Sequence, residues 1–503
     1  MLDINSLQSV YVQSKALLMV SKRMNLKLIM LLCAGFIAGT KPVYSQSQTL
    51  KVSENRRFFT DQNGKPFFWL ADTGWLLFTR LTREDAARYL ADRQQKGFNV
   101  VQVMVVQALR SVNVYGDSAL TNRDLGSPKV TEGAAFDNAA EYDYWDHVDY
   151  IVDLAAEKGI KIGMVPIWGN AVKNGKTSAA QAKADAQFLA RRYRNRPNIV
   201  WLNGGDIQGD VVPEVWEAIG STLRAEDPNH LITFHPFGRM QSSKWFHDRD
   251  WLDFNMFQSG HRTYAQDNEA KDLRYGEDNW RYVEADYARE PVKPVLDGEP
   301  SYENIWHGLH DKTLPVWTAA DVRRYAYWSV FAGACGFTYG NNAVMQMRHS
   351  RRPESTSGAQ SNVQASASNQ NAVPAAGSAK LPSWEEAIND PGAGQMAHLK
   401  NLMRSKPYFE RVPDQSLIAE NGERYDRLIA TRGKDYAFIY TWTGREMRIN
   451  MGKIQGKVLN ASWFDPRTGE TKILGKIQNK GIRTFNPPGE VRNGNDWVLV
   501  LEK

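Results

Sequence analysis

The stretch NIVWLNGGD, Asn198 to Asp206, decides how this sequence folds. Its first five residues suit a buried strand, and they lead directly into Asn203, two glycines and a carboxylate. A short continuous apolar run is typical of a strand that is covered on both faces, as in a parallel sheet. Asp206 therefore stands where a buried strand ends, and the rest of the chain indicates what an acid does there.

Seven further runs repeat this pattern. The eight expected strands are residues 67–73, 99–106, 161–168, 198–206, 231–237, 254–260, 294–300 and 336–342. Amphipathic segments separate them. One begins at Thr82 with an acid three residues on, as in a capping box, and ends at Gly97, and another ends at Gly159. Eight such strands alternating with helices predict an α/β fold of the (β/α)8 TIM-barrel type, with a doubly wound open sheet as the alternative.

Polar and aromatic side chains stand at or just beyond the ends of these strands. In a TIM barrel the carboxyl ends of the strands form the active-site mouth, so we expect these side chains to bind substrate. They are Asp72, Trp75, Gln107, Trp168, Asn203, His235, Gln258, Tyr339 and Asn341. Any one of the polar residues has a simpler explanation as a helix cap or turn residue. The two tryptophans are suited to stacking on a sugar face, although packing is the commoner use of tryptophan.

Two carboxylates lie among glycines, Asp206 in NGGD and Glu299 in DGEP, which suggests that a substrate approaches the backbone closely there. They end the fourth and seventh strands and face each other across the mouth. This arrangement suits a glycosidase, in which one carboxyl protonates the departing oxygen and the other attacks or stabilises the anomeric carbon. The alternative is structural, with Asp206 capping the next helix and Glu299 paired with an arginine. Asp297 points the same way as Glu299 and competes for its role.

The charge of the chain argues against a nucleic-acid partner. The formal net charge is +6, and residues 1–45 hold five basic residues and one acid, which leaves about +2 for the remainder. Lysines and arginines are not gathered with aromatic residues on one face. We therefore expect no nucleic-acid partner.

The amino-terminal segment predicts export. From Met24, an alternative start, MNLKLIMLLCAGFIAGTKPVYSQSQ has the charged, apolar and small-residue order of a signal peptide, assigned to residues 1–45. Its apolar run is too short for a comfortable membrane span, so we expect a periplasmic or extracellular protein with no transmembrane segment in the mature chain. Lipoprotein anchoring is less favoured, because Leu32 fits poorly before Cys33. Cys335 then has no disulfide partner in its own chain.

Five stretches together resemble the apiosidase-like catalytic domain, of the glycoside hydrolase family 140 type: FFWLADTGW, GFNVVQVMVVQ, WLNGGD, LDGEPSYE and FTYGNN. The resemblance covers most of 56–342 and resumes at PGAGQMAHLKNLMRSKPYF. It implies a secreted, exo-acting and retaining glycoside hydrolase that releases apiose or a similar sugar from plant pectin side chains. It also implies Asp206 as acid/base and Glu299 as nucleophile. The alternatives are the same machinery on another furanoside or pyranoside, or a catalytically inactive glycan-binding protein.

The catalytic barrel is assigned to residues 46–410, with one departure. The segment at about 350–380 is rich in Ser, Ala, Asn and Gln and nearly lacks apolar residues, so it is predicted to be a disordered insert. A tolerated surface insertion is the preferred interpretation, and a lid is the alternative.

A two-carboxylate mechanism requires no metal, and neither a ligand cluster nor a nucleotide motif stands in the sequence. We therefore expect no cofactor, and we expect a monomer.

Residues 411–503 change pattern. Short alternating strands separated by turn signals, such as DPRTG at 465–469, predict a β-sandwich. The resemblance implies a module catalogued as collagen-binding. We expect this module to be a packing partner of the barrel rather than a binder.

Overall fold

The structure is a computed structural model, and it describes residues 49–267, 274–349 and 382–503. The predicted signal peptide at 1–45 and the predicted insert at about 350–380 lie outside the described residues. Within the described ranges, none of the helices has the length and apolar character needed to cross a membrane.

Eight parallel strands form the barrel, and each coincides with an expected strand to within a few residues. They are β1 Trp69–Thr73, β2 Val100–Val106, β3 Lys161–Ile167, β4 Ile199–Ile207, β5 Ile232–Pro236, β6 Asn255–Gln258, β7 Val295–Asp297 and β8 Gly336–Tyr339. Their order is β5-β4-β3-β2-β1-β8-β7-β6, and a short strand, Met240–Gln241, pairs antiparallel with β6. Thr233 of β5 donates from Oγ1 to the carbonyl of Phe254 at 2.6 Å, which joins the two ends of the sheet. The TIM-barrel prediction is confirmed, and the open sheet is excluded.

Helices alternate with the barrel strands and follow the last of them. They are Leu77–Arg80, Arg83–Gln95, Tyr144–Glu157, Ala179–Tyr193, Pro213–Glu226, Ser243–Phe246, Trp280–Tyr287, Ala319–Phe331, Asn342–Met345, Trp384–Ala387 and Pro391–Arg404. The expected boundaries hold where the local signal was strong. Thr82 accepts from the backbone N–H of Asp85 at 3.1 Å, and Gly97 takes a φ of 81° just past the helix.

Three short strands precede the barrel, Lys51–Val52, Phe59–Thr60 and Pro66–Phe67. Phe59 packs edge-on to Phe254, with ring centroids 5.0 Å apart, and against Trp69 at 6.0 Å. Because Trp69 and Phe254 lie at the amino ends of β1 and β6, this small sheet covers the end of the barrel opposite the mouth.

The C-terminal region is a β-sandwich, as predicted. Its strands are Val412–Pro413, Ile429–Arg432, Tyr436–Thr441, Met447–Asn450, Val458–Phe464, Thr471–Gln478, Ile482–Phe485 and Trp497–Glu502, six of them in one sheet and two in another. Alternate residues of the larger sheet belong to two cores. Phe438 and Tyr440 join the core of the barrel, whereas Ala437 and Ile439 join the interior of the sandwich. This period-two pattern makes the larger sheet a layer between the barrel and the smaller sheet.

Candidate active site

The end of β4 turns Asp206 out of the regular strand. Gly204, Gly205 and Asp206 have φ angles of 93°, 110° and 52°, and the pairing with β5 shifts register between Gly204 and Ile207. A bulge of this kind re-aims a side chain, and a non-glycine residue at positive φ carries a strain that is common at functional sites. The bulge brings Asp206, partly buried, to the wall of the mouth.

The glycines beside the two carboxylates do not clear space for a substrate, which corrects the sequence-based interpretation. A Cβ on Gly205 would lie 2.6 Å from the ring of Trp168, and one on Gly298 would lie 2.4 Å from Sδ of Met256. Protein atoms already occupy this space. Gly204 and Gly205 are required because of their positive φ and because other residues pack closely against them.

Glu299 lies two residues past the end of β7 and is only 6% exposed. Nε2 of His261 lies 3.2 Å from its Oε1, and Nε2 of His235 lies 3.3 Å from its Oε2. The preceding backbone is held by Gln102 of β2, whose amide donates to the carbonyl of Gly298 at 2.8 Å. Glu299 is thus a buried carboxylate that faces two imidazole nitrogens and has little rotational freedom.

The pKa values of the two carboxyls are shifted in opposite directions. Burial raises the pKa of Asp206 to about 6, and the nearby negative charge of Glu299 adds to this effect. Burial also acts to raise the pKa of Glu299, but the hydrogen bonds and charges of His235 and His261 outweigh it and hold that pKa at about 2. At mildly acidic pH, Asp206 keeps its proton while Glu299 is ionised.

Both carboxyls line one cavity of about 140 Å³. Other side chains in its wall are Trp75, Trp168, Phe237, Arg239, Gln258, His261, Arg262, Tyr302, Ile305, Leu309, His310 and Met345. Of the predicted substrate-binding residues, Trp75, Trp168 and Gln258 are therefore present in the wall. The carbonyl oxygen of the Gln258 side chain is buried and has no hydrogen-bond partner among the described residues, so it is available to a ligand.

Trp75 and Trp168 line the cavity and also belong to the packed core. Trp75 and Trp168 are 1% and 2% exposed, with ring centroids 5.2 Å apart, and His235 lies 5.3 Å from the first and 5.7 Å from the second. His235 is fully buried behind Glu299, so its predicted role as a substrate contact is corrected to that of a residue that holds Glu299.

Asp72 and Asn203 are corrected as substrate contacts, because their side chains are directed at the outer helices. Asp72 is fully buried and pairs with Arg93 at 3.1 Å, and it accepts from the hydroxyl of Tyr89 at 2.6 Å. The amide of Asn203 donates to the carbonyl of Trp216 at 2.8 Å. These polar side chains tie strands β1 and β4 to the helices that cover them.

Tyr339 and Asn341, at the end of β8, are corrected in the same way. Tyr339 donates to Glu303 at 2.6 Å, and Asn341 caps the helix Asn342–Met345 and donates to Asp390 at 2.7 Å. The simpler explanation of a strand-end asparagine as a helix cap therefore holds at Asn341. Gln107 is half-buried just after β2 and is not among the residues that line the cavity.

The structural alternative for the two carboxyls does not hold. The helix after β4 begins at Pro213 without a side-chain cap, so Asp206 does not cap it, and Glu299 contacts histidines rather than an arginine. Asp297 is fully buried and accepts from the hydroxyl of Ser259 at 2.7 Å, and burial raises its pKa to about 7. Asp297 is a structural carboxyl beneath the cavity and does not compete with Glu299.

Sequence reasoning did not select Tyr302 and Arg239, which both line the cavity. The hydroxyl of Tyr302 is buried, and its ring lies 4.7 Å from that of His261. It stands in LDGEPSYE, three residues past Glu299, so proximity to the carboxylate was an available signal. Arg239 follows β5 by three residues at a φ of 61°, and nothing local in the sequence marked it.

Across the described ranges, His, Cys, Asp and Glu side chains form no group of three or more that could hold a metal ion. A larger cleft of about 720 Å³ includes Lys51, His230 and Asp253. These residues precede β5 and β6 or belong to the small amino-terminal sheet, so this cleft lies at the end of the barrel away from both carboxyls.

Known proteins match most of the described chain. Residues 53–410 match the family "Apiosidase-like, catalytic domain", and residues 412–502 match "Putative collagen-binding domain of a collagenase". A solved structure described as a glycoside hydrolase is 46% identical with a TM-score of 0.81, covering 91% of this chain and 97% of its own. A glycoside hydrolase family 5 structure from Bacteroides vulgatus ATCC 8482 is 45% identical with a TM-score of 0.81, covering 90% of this chain and 92% of its own.

No curated protein matches the chain. The family match nonetheless spans the barrel and both cavity carboxyls, and two solved glycoside hydrolases resemble the chain along nine-tenths of its length. The chain therefore belongs to the apiosidase-like family and is a glycoside hydrolase.

Proposed function

We propose that this glycoside hydrolase is exported and exo-acting, that it works with net retention, and that it releases apiose or a similar sugar from plant pectin side chains. Asp206 is the acid/base and Glu299 is the nucleophile. The single observation that carries the proposal is the unequal pair of carboxyls in one cavity, with the pKa of Asp206 raised and that of Glu299 lowered.

The first step needs a proton at the glycosidic oxygen and an anion at the anomeric carbon. Asp206 supplies the proton, because burial and the charge of Glu299 keep it protonated at mildly acidic pH. Glu299 attacks the anomeric carbon, the bond to the departing oxygen breaks, and a covalent glycosyl-enzyme forms. Asp206, now ionised, then takes a proton from water, which attacks the anomeric carbon and frees Glu299.

The size of the cavity supports exo-action. Its volume of about 140 Å³ is small against the roughly 300–1,000 Å³ of pockets that hold drug-sized ligands. One sugar ring suits this volume better than an extended glycan chain does. Export is supported by the charged, apolar and small-residue order of the segment from Met24, and the family 140 assignment is supported by the resemblance of the strand-end motifs.

The test is incubation of the purified protein with pectin-derived oligosaccharides, followed by identification of any released monosaccharide. Release of apiose supports both the reaction and the sugar. Release of a different sugar supports the mechanism and shows that the substrate is not an apioside. Binding without release, at pH values from 4 to 7, contradicts the catalytic proposal and favours a glycan-binding protein.

A further inference from the structure

The C-terminal β-sandwich contacts the barrel at several places, and one of them is a broad packing surface. Tyr440 stacks on Tyr327 of the helix Ala319–Phe331, with ring centroids 4.7 Å apart and planes 14° apart. Beside them Arg323 donates twice to the carboxylate of Asp496, at 2.9 and 2.7 Å, and both side chains are buried. These contacts explain why the two regions hold together, but they do not involve the loops of the mouth.

Another contact reaches a loop of the active site. Tyr425 of the sandwich donates from its hydroxyl to Oε1 of Glu277 at 3.0 Å, and the same oxygen accepts from the backbone N–H of Tyr264 at 2.9 Å. The rings of Tyr264 and Tyr425 lie 5.3 Å apart. Glu277 and Tyr264 both belong to the loop that follows β6, and Tyr264 is three residues beyond His261.

The sandwich also covers the ion pair at the base of this loop. Glu277 pairs with Arg324 at 2.6 Å, and both side chains are fully buried. The guanidinium carbon of Arg324 lies 5.0 Å from the ring of Tyr425 and 4.8 Å from that of Trp442. Nε and Nη1 of Arg324 have no hydrogen-bond partner within the described part of the chain, so ring contacts contribute to stabilising the cation. Tyr425 and Trp442 supply two of them from the sandwich, and Tyr325 and Trp328 supply two at 5.0 and 4.9 Å from the barrel.

The loop held in this way carries a group that touches Glu299. His261 contacts Oε1 of Glu299 at 3.2 Å, and its own carbonyl accepts from Nε1 of Trp317 at 3.2 Å. The barrel therefore holds the loop at His261, and the sandwich, through Glu277, holds it at Tyr264.

We propose that Tyr425 and Trp442 are positioning residues for the active site: they hold Glu277 and Arg324 in place and so fix the loop that presents His261 to Glu299. This inference rests on the proposed function of Glu299. It assigns the C-terminal sandwich a part in catalysis, beyond that of a packing partner, that requires no ligand of its own.

The test compares two single-atom variants of the full-length protein. Tyr425→Phe removes only the hydroxyl that reaches Glu277. Tyr436→Phe is the matched control, because the hydroxyl of Tyr436 donates to the carbonyl of Pro407 at 3.1 Å and thus also bridges sandwich and barrel, but away from the loop. Hydrogen exchange is measured on peptides that cover 259–267, and kcat/KM is measured against pH.

In Tyr425→Phe we expect about tenfold faster exchange at the amide of Tyr264, because its acceptor loses a supporting donor. We also expect the acid limb of kcat/KM to move to higher pH, because a loosened His261 stabilises the Glu299 anion less. Tyr436→Phe leaves both unchanged. Unchanged exchange in Tyr425→Phe, or an equal increase in both variants, overturns the inference.

A double variant gives an independent check. If Tyr425 acts through His261, then in a His261→Gln background Tyr425→Phe has no further effect on kcat/KM. A full, additive loss contradicts the inference. Exchange needs no substrate, so a protein that releases no sugar refutes the proposed function while the exchange experiment still decides whether the sandwich fixes the loop.

Discussion

Substitution of Asp206 by Asn tests the assignment of the general acid directly. Asparagine keeps the shape of the side chain and is among the residues that best tolerate the left-handed conformation found here, with φ at 52°. The fold should therefore be retained, while the proton for the leaving group is lost. General acid catalysis contributes about 10²- to 10⁴-fold, or roughly 3–5 kcal/mol of transition-state stabilisation, and we expect kcat on the natural glycoside to fall by this amount.

The assay uses two substrates, a pectin-derived oligosaccharide and an aryl glycoside of the same sugar with an activated leaving group. The activated leaving group departs without protonation, so Asp206→Asn should still form the glycosyl-enzyme from it. For wild type on the natural substrate, kcat/KM should fall above about pH 6, because Asp206, with its pKa raised to about 6, loses its proton there. Asp206→Asn on the aryl glycoside should lack this alkaline limb.

Azide then reports which carboxyl is the nucleophile. Asp206→Gly also suits the positive φ and leaves room for azide, which should trap the glycosyl-enzyme as a glycosyl azide of retained configuration. Glu299→Gln is the matched control and should be inactive on both substrates, because no covalent intermediate forms. Near wild-type hydrolysis of the natural substrate by Asp206→Asn would refute the assignment of Asp206 as the general acid. An azide product of inverted configuration would show instead that Asp206 is the nucleophile and Glu299 the acid/base.

Three further outcomes are expected. Trp168→Ala should raise KM and also lower stability by about 3–5 kcal/mol in chemical denaturation, because the ring is 2% exposed; an unchanged midpoint would show that the ring adds little packing. Asp297→Asn should keep kcat within about tenfold, because the amide can still accept from Ser259; inactivation like that of Glu299→Gln would restore Asp297 as a competitor. Deletion of 354–380 should leave the melting temperature nearly unchanged and turnover within a few-fold of wild type, because the flanking residues already meet: the backbone N–H of Trp384 donates to the carbonyl of Arg348 at 2.7 Å. A hundredfold loss of turnover with an intact fold would favour a lid.

Much of the fold follows from local pattern. The run IVWL before Asn203 and its seven counterparts predicted the barrel strands to within a few residues, because strands covered on both faces leave a continuous apolar signal. Thr82 and Gly97 marked a helix for a similarly local reason, since capping and positive φ depend on residues close in sequence. The positions of Asp206 and Glu299 at one mouth followed from barrel topology alone.

The directions in which the polar side chains point do not follow from the local sequence. Asp72, Asn203, Tyr339 and Asn341 stand at strand ends as expected, yet each side chain is bonded to a residue of a neighbouring element rather than exposed in the cavity. Asp72 and Asn203 lie within their strands, but a strand covered on both faces is apolar on both, so its sequence does not show which alternate side chains face the outer helices. Only the packed partners, such as Arg93 across from Asp72, determine which way a polar side chain points.

The sequence by itself thus determined the barrel, the sandwich and the two carboxyls, because each depends on hydrophobic periodicity or on topology. Tertiary structure alone decided the chemistry of those carboxyls. The bulge that turns Asp206, the two histidines that lower the pKa of Glu299, and the contact of Tyr425 with the loop after β6 join residues that are far apart in the chain. Electrostatic effects act through space over a few ångströms, so the sequence names the groups and the fold sets their protonation.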